Sequence, residues 1–295
     1  AAFLRLDLEN ARLVLMELRL PRMLLAIAVG GSLALAGLVM QTVLGNPLAE
    51  PYTLGVASGA ALGAAISSSL GWQWSWLGLN LGGMLGALSI VYLLFRMSRG
   101  AQWSSGALIL TGVMLSLSSA SLLAIWMALA DPVGVQSINF WLLGDLSRVG
   151  LGSAASIWVA SLVVLFYFLK FSRRLDAFLL GAQEVQGFAI SPAWTLKASI
   201  LVVSLMVGFC VSAAGVIGFL GLIVPHLVRR KLQTPIHSKL IPMVYLWGAI
   251  VLLGSDTLGK NLAHPHELPV GAITALVGAP LFIFLYRRQR HEVRE

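Results

Sequence analysis

Nine stretches of this chain are almost wholly apolar, and short polar segments separate them: Met23–Thr42, Leu54–Leu70, Trp76–Arg96, Ala107–Ala130, Ala154–Phe171, Ala193–Ala213, Ile217–Val228, Leu240–Leu262 and Val270–Tyr286. A helix needs about 20 apolar residues to cross the hydrocarbon core of a bilayer. The pattern therefore predicts an all-α bundle of membrane-spanning helices, with residues 1–295 forming one transmembrane domain. Ile217–Val228 is too short to cross unaided, and Leu54–Leu70 becomes so when trimmed to its apolar centre. Short, glycine-interrupted spans occur where protein or a water-filled path, rather than lipid, surrounds the helix. In Gly215–Arg230, GVIGFLGLIVPHLVRR, Pro225 is expected to stop the short helix at the membrane boundary.

The chain is 58% hydrophobic and only 11% charged, with a mean hydropathy of +0.87. A soluble domain carries about 25% charged residues, so lipid is the natural solvent for most of this surface. The net charge of +8 would suggest nucleic acid in a soluble protein. Here the basic residues sit in short clusters between apolar runs, which fits membrane topology and not a nucleic-acid partner. Arg96 and Arg99, then Lys170, Arg173, Arg174 and Lys197, then Arg229, Arg230, Lys231 and Lys239, then Arg287, Arg288, Arg290 and Arg294 fall in alternate connections. Lysine and arginine concentrate on the cytoplasmic side, so these connections and the C-terminus are placed there. Residues 1–22 then lie outside the cytoplasm, and a further helix preceding residue 1 is expected, giving about ten spans in all. Lone Cys210 excludes an intrachain disulfide.

Glycine recurs on the spans. Gly55, Gly59 and Gly63 repeat every four residues and predict one smooth helix face; Gly82 and Gly86 repeat the spacing, and Gly215, Gly218 and Gly221 extend it. In lipid, helices associate through close backbone approach at small residues. Dense helix packing is the reading for these positions.

Four segments stand out: RLPR at Arg19–Arg22, QTVLGNPLAEPYTLGVASGA at Gln41–Ala60, GVIGFLGLIVPHLVRR at Gly215–Arg230, and ELPVGAITALVGAPLFIFLY at Glu267–Tyr286. In this order and spacing they resemble the permease subunits of binding-protein-dependent ABC importers for iron-siderophores, haem and cobalamin, the FecCD/BtuC-like family. The resemblance covers Met16 to Tyr286. It implies a type II importer permease with ten helices, set as a homodimer or beside a paralogous permease in a bacterial inner membrane. Two cytoplasmic ATPase subunits would bind ATP and magnesium, and a periplasmic binding protein would deliver the cargo. The permease itself would be no enzyme and would hold no cofactor. A bulky iron chelate is the expected cargo class, with haem next and cobalamin third.

Site residues follow from the same resemblance. Arg19 and Arg22, with Lys260, would meet acidic side chains of the binding protein. The connection Ser172–Pro192 would be the coupling loop against the ATPase, with Leu175, Phe178, Leu179, Leu180, Gly181 and Glu184 at its surface and short helices over Leu175–Leu180 and Gln183–Phe188. Ala182-Gln183 stand where the family pattern has a further acidic residue. His226, Arg229 and Arg230 would face the same partner, and His226 as a proton relay is the sharper alternative. Ser104, Ser105 and Gly106 would form a narrow cytoplasmic gate, although a helix N-cap explains either serine equally well. Asn46, Pro47, Glu50 and Pro51 read as a structural turn.

Other readings have less behind them. His264 and His266 with Glu267 look like metal or haem ligands, but Pro265 opposes a helical ligand face and no fourth ligand is near in sequence. Ala57-Ser58-Gly59 resembles an intramembrane protease motif, without a placed general base. An ion-coupled secondary transporter would carry ionisable groups at mid-membrane, where these spans are almost free of charge. No GxxxxGK[ST] phosphate loop is present, so the chain does not hydrolyse ATP itself.

Overall fold

The computed structural model describes residues 11–71, 76–97, 105–147, 149–179, 191–262 and 266–292. Every regular element among them is helical. A π-helical turn, Val14–Arg19, leads into α1, Leu20–Val43. There follow α2 (Val56–Ser69), α3 (Trp76–Met97), α4 (Ser105–Leu129), α5 (Pro132–Leu142), α6 (Leu151–Lys170), α7 (Ser172–Phe178), α8 (Pro192–Ala214), α9 (Leu220–Leu232), α10 (His237–Leu262) and α11 (Val270–Glu292). Six helical segments of the described residues are long and apolar enough to cross a membrane: Ala11–Val43, Leu79–Met97, Ser105–Leu129, Leu151–Lys170, Ala193–Ala214 and His237–Leu262.

Each apolar run of the sequence corresponds to a helix. Two helices lie outside the runs. One is α5, whose start follows from local chemistry: the Asp131 side chain accepts from the Gly134 N–H at 3.0 Å, and Pro132 occupies the first helical position. The other is α7, at the start of the long connection, which begins three residues before the expected Leu175.

α1 is the central post of the bundle. It is buried continuously from Ala28 to Val43, as befits a helix apolar on every face. Helices α6, α8, α9 and α10 all pack on it. Glycine sets two of those crossings. A Cβ on Gly30 would lie 2.4 Å from the Gly248 carbonyl oxygen of α10, and one on Gly37 would lie 1.9 Å from that of Gly221 in α9. The α2–α3 pair uses the same device: a Cβ on Gly63 would sit 2.1 Å from the Gly82 oxygen, and one on Gly86 the same distance from the Gly59 oxygen. Backbones this close gain dispersion contacts that no hydrophobic drive supplies in lipid.

Three of the recurring glycines differ from a plain helix face. Gly55 and Gly215 lie at positive φ, +84° and +71°, Gly55 capping the start of α2 and Gly215 following α8, and both are also closely packed, Gly55 against Ile90 and the Gly112 carbonyl and Gly215 against the Trp141 carbonyl. Gly218 borders open space, so it is not a packing position.

Two non-helical connections, after α1 and after α8, face each other. After α8 the chain turns at Gly215, at φ +71°, and stays non-helical to Phe219. After α1 it is irregular until a 3₁₀ turn at Pro51–Leu54. Gly221, two residues beyond Phe219, abuts Gly37. At 1.5 Å rise per residue, Gly37 lies about 25 Å along α1 from Leu20 and about 9 Å from Val43. The connections are thus within the bundle, where unmet backbone groups are costly. The Tyr52 hydroxyl donates to the Ile217 carbonyl at 3.0 Å and accepts from the Ile217 N–H at 3.3 Å. The Phe219 N–H donates to Glu50 Oε1 at 2.9 Å. Glu50 thereby sits at the N-terminus of α9, where the helix dipole favours a carboxylate.

Pro225 does not end α9. The helix continues to Leu232, with Arg229, Arg230 and Lys231 in its last turn. A proline inside a helix leaves the carbonyl four residues earlier without its N–H. Here that carbonyl belongs to Gly221, and the Gln41 side-chain amide donates to it at 3.1 Å. The neighbouring helix supplies the lost bond, so the helix survives its proline.

Candidate functional site

Polar side chains gather at the two ends of α1, around Arg22 and around Thr42. Twenty residues of helix separate them, about 30 Å, which is the thickness of the hydrocarbon core.

At the first end, the Arg22 guanidinium grips Asp256 of α10. Nε lies 3.0 Å from Oδ1 and 3.1 Å from Oδ2, and NH2 lies 2.8 Å from Oδ1. Its NH1 donates to Glu267 Oε2 at 2.7 Å. Lys260, one turn beyond Asp256, places Nζ 3.3 Å from Oδ2. Asp256 is 5% exposed, Arg22 11% and Glu267 55%. The pairing ties α1 to α10 and to the segment entering α11, where the Leu268 N–H also donates to the Gly259 carbonyl at 3.0 Å. Of the three expected docking cations, Arg22 is turned inward onto two carboxylates, Lys260 is held beside one of them, and Arg19 is exposed.

At the other end, five side chains form one chain of hydrogen bonds. Arg229 NH1 donates to Gln41 Oε1 at 2.8 Å, and NH2 reaches Thr42 Oγ1 at 3.4 Å. Thr42 Oγ1 lies 2.8 Å from His237 Nε2. His237 Nδ1 donates to Asp176 Oδ1 at 2.7 Å, and the His237 N–H reaches the same oxygen at 2.8 Å. His237 is fully buried. The network joins α1, α7, α9 and α10, and it stands where the connection from 172 to 192 begins. Sequence reasoning found Arg229 in it and missed Gln41, Thr42, Asp176 and His237.

The remaining expected residues divide clearly. Leu175 is 1% exposed and anchors α7 in the core, so it offers no docking surface. Phe178 is half-buried and Leu179 is exposed. Leu180, Gly181, Glu184, Ser104 and His264 lie outside the described residues. Ser105 opens α4, and Gly106 beside it borders open space. His226 is half-buried on α9, and Arg230 is exposed in its last turn. His266 is exposed. Among the described residues, no three His, Cys, Asp or Glu side chains assemble a metal site.

Gln41 has two tasks, and its replacement tests both. Gln41→Leu leaves the Gly221 carbonyl unmet and removes an acceptor from Arg229. Thermal unfolding of the purified protein is expected to report a loss of about 1–3 kcal/mol. Adding Pro225→Ala restores an N–H to α9 and is expected to recover part of that loss; equal melting of the single and double variants would contradict the assignment. His237→Leu, which strips the ring bonds to Asp176 and Thr42, is expected to cost a similar 1–3 kcal/mol, measured the same way, with His237→Gln closer to the parent.

The whole chain can now be set against known proteins. Residues 1–288 match the FecCD transport family. This chain belongs to that family. Over 284 residues the FecCD chain is 33% identical to the hemin transport system permease HmuU of Yersinia pestis, covering 94% of this chain and 84% of the relative. It is 34% identical, also over 284 residues, to the vitamin B12 import system permease BtuC of Photorhabdus laumondii, covering 96% and 84%. Among solved structures, a metal-chelate type ABC transporter in an inward-facing conformation superposes with a TM-score of 0.88 at 32% identity, covering 94% of this chain and 88% of that one. PsaBC of Streptococcus pneumoniae shares the fold, with a TM-score of 0.57 at 17% identity. The FecCD chain is thus a multi-pass membrane permease with the type II importer fold, and the family is one of transport proteins, not enzymes.

Proposed function

We propose that this FecCD chain is the membrane subunit of an ATP-driven, binding-protein-dependent importer whose cargo is a bulky metal chelate. The observation that carries the reading is the match over nearly the whole chain, at closely similar identity, to one permease named for hemin and another named for vitamin B12. Two cargoes with a metal held in a large organic frame define a class; a ferric siderophore belongs to it equally.

The engine in this reading is separate. The sequence holds no phosphate-binding loop of its own, so two ATPase subunits would bind ATP and magnesium beneath the bundle. The side carrying Arg229, Arg230, Lys231 and Lys239 is the cytoplasmic one in this reading, supported by its excess of cations. The Ser172–Pro192 connection would receive the ATPase, with exposed Leu179 offering apolar contact. The Asp176–His237–Thr42–Arg229 chain of hydrogen bonds would pass its displacement to α1 and α9. A binding protein would dock at the opposite end, with exposed Arg19 meeting its acidic side chains. A second copy or a paralogous permease would complete the path.

The test is reconstitution. The chain is purified with its ATPase and binding protein and placed in vesicles, and uptake of a ferric siderophore, haem and cobalamin is compared. ATP-dependent accumulation of one of the three is expected. Uptake driven by a proton gradient without nucleotide would replace this reading with a secondary transporter.

A further inference from the structure

The short helix α7 has only seven residues, and no side chain caps its start. Isolated helices shorter than about 12 residues are marginal in water, so what holds this one comes from outside it. Three consecutive side chains supply the hold. The Arg174 guanidinium lies 4.6 Å from the centre of the Phe171 ring, just after α6, and 5.3 Å from that of Trp194, in the first turn of α8. Trp194 is itself fixed there, because its N–H donates at 3.3 Å to the Ser191 side chain that caps α8. Leu175, next in sequence, is buried in the core. Asp176 then accepts from both the ring and the backbone N–H of His237, at the start of α10.

These ties lead to different helices. A cation over two aromatic faces is attracted to both rings, which fastens α7 to α8. Two hydrogen bonds to one carboxylate oxygen are of the strong, charge-assisted kind, and they fasten α7 to α10. The His237 ring carries the second tie on to Thr42 of α1. Helices α8 and α10 both pack on α1, so α7 bridges two helices that rest on the same post. Arg173 and Leu179 remain exposed beside these anchors. The helix is therefore gripped from within and still presents a face outward. Displacement between distant sites is carried by packed side chains and hydrogen-bond networks of this sort.

We propose that Arg174 and Asp176 are positioning residues for energy coupling: they make α7 a rigid joint between the 172–192 connection and helices α8 and α10. This rests on the importer reading above, in which that connection receives the ATPase. With either tie cut, the bundle stays folded but α7 yields under load, and ATP is spent without moving cargo.

Two measurements on the same variants test the joint. Hydrogen exchange of the purified chain reads the hold on α7 directly. Asp176→Ala and Arg174→Gln are each expected to speed exchange of the amides of α7 about threefold or more. Asp176→Asn keeps an accepting oxygen and Arg174→Lys keeps a cation over the rings, so both should stay closer to the parent. The second measurement uses vesicles holding the chain with its ATPase and binding protein, and whichever of ferric siderophore, haem or cobalamin the parent accumulates. ATP hydrolysed per cargo molecule accumulated is expected to rise severalfold in Asp176→Ala and in Arg174→Gln, uptake falling more than hydrolysis. A merely structural role would lower the two together and leave their ratio at the parent value, which would overturn the proposal. Exchange at the parent rate in both variants would overturn it too. A parent complex without ATP-dependent uptake would remove the importer reading and the coupling role together, and the exchange rates would then still report whether the two ties hold α7.

Discussion

Gly37→Leu is expected to abolish the folded protein. Gly37 lies in the buried stretch of α1, and the first atom of any side chain there would stand 1.9 Å from the Gly221 carbonyl oxygen. That neighbour is backbone, so no rotamer change relieves the clash. Either α9 moves away, exposing the freed Gly221 carbonyl and breaking its bond to Gln41, or α1 bends. Overpacking a tight core costs typically 1–3 kcal/mol. Here the lost hydrogen bond and the displaced crossing add to it, so a loss above about 4 kcal/mol is expected, in the exceptional range for a single substitution. Size-exclusion profiles of fluorescently tagged protein should show aggregate in place of the monodisperse peak. Gly218→Ala is the control: its Cβ meets open space, and a change within about 0.5 kcal/mol is expected. A monodisperse Gly37→Leu protein with the parent's melting temperature would refute the crossing as described.

The second large effect belongs to Asp256. Its carboxylate, 5% exposed, receives three contacts from Arg22 and one from Lys260. Asp256→Ala leaves two cations facing each other with only the exposed Glu267 between them and solvent. Removing one partner of a buried pair costs about 3–5 kcal/mol, chiefly because the remaining charge stays desolvated. Replacing both partners by apolar residues is often close to neutral, so Arg22→Met with Asp256→Leu should recover most of the loss. Glu267→Gln should cost no more than about 1 kcal/mol, because that pair is open to water. Thermal unfolding of the three proteins forms the test. Equal losses for Asp256→Ala and Glu267→Gln would contradict a buried, stabilising pair.

The spans were legible because lipid imposes a blunt rule on composition, and the glycine crossings were legible in part. Spacing placed Gly59 and Gly63 correctly on a helix face, since a helical period fixes which residues share a side. Gly55 does pack, against Ile90 and the Gly112 carbonyl, but from a left-handed cap ahead of α2, which spacing alone does not separate from a helical position. Pro225 misled for a related reason. A proline ends a helix when the freed carbonyl has no other donor, and the donor here, Gln41, is 180 residues away in sequence. The polar network at Thr42 was illegible on the same ground: Asp176 and His237 each look like ordinary loop polarity until the fold brings them together. One signal was available and unread, the Asp-Pro pair at 131–132, which marks the start of α5.

The clasp between the connections that follow α1 and α8 also constrains how the polypeptide is assembled. Glu50 and Tyr52 leave the ribosome well over a hundred residues before Ile217 and Phe219, so these contacts form only after most of the chain has been made. Neither half can reach its final form alone. The contact can therefore close only once the chain has been made as far as Phe219, and the ties of α1 to His237, Asp256 and Glu267 close later still.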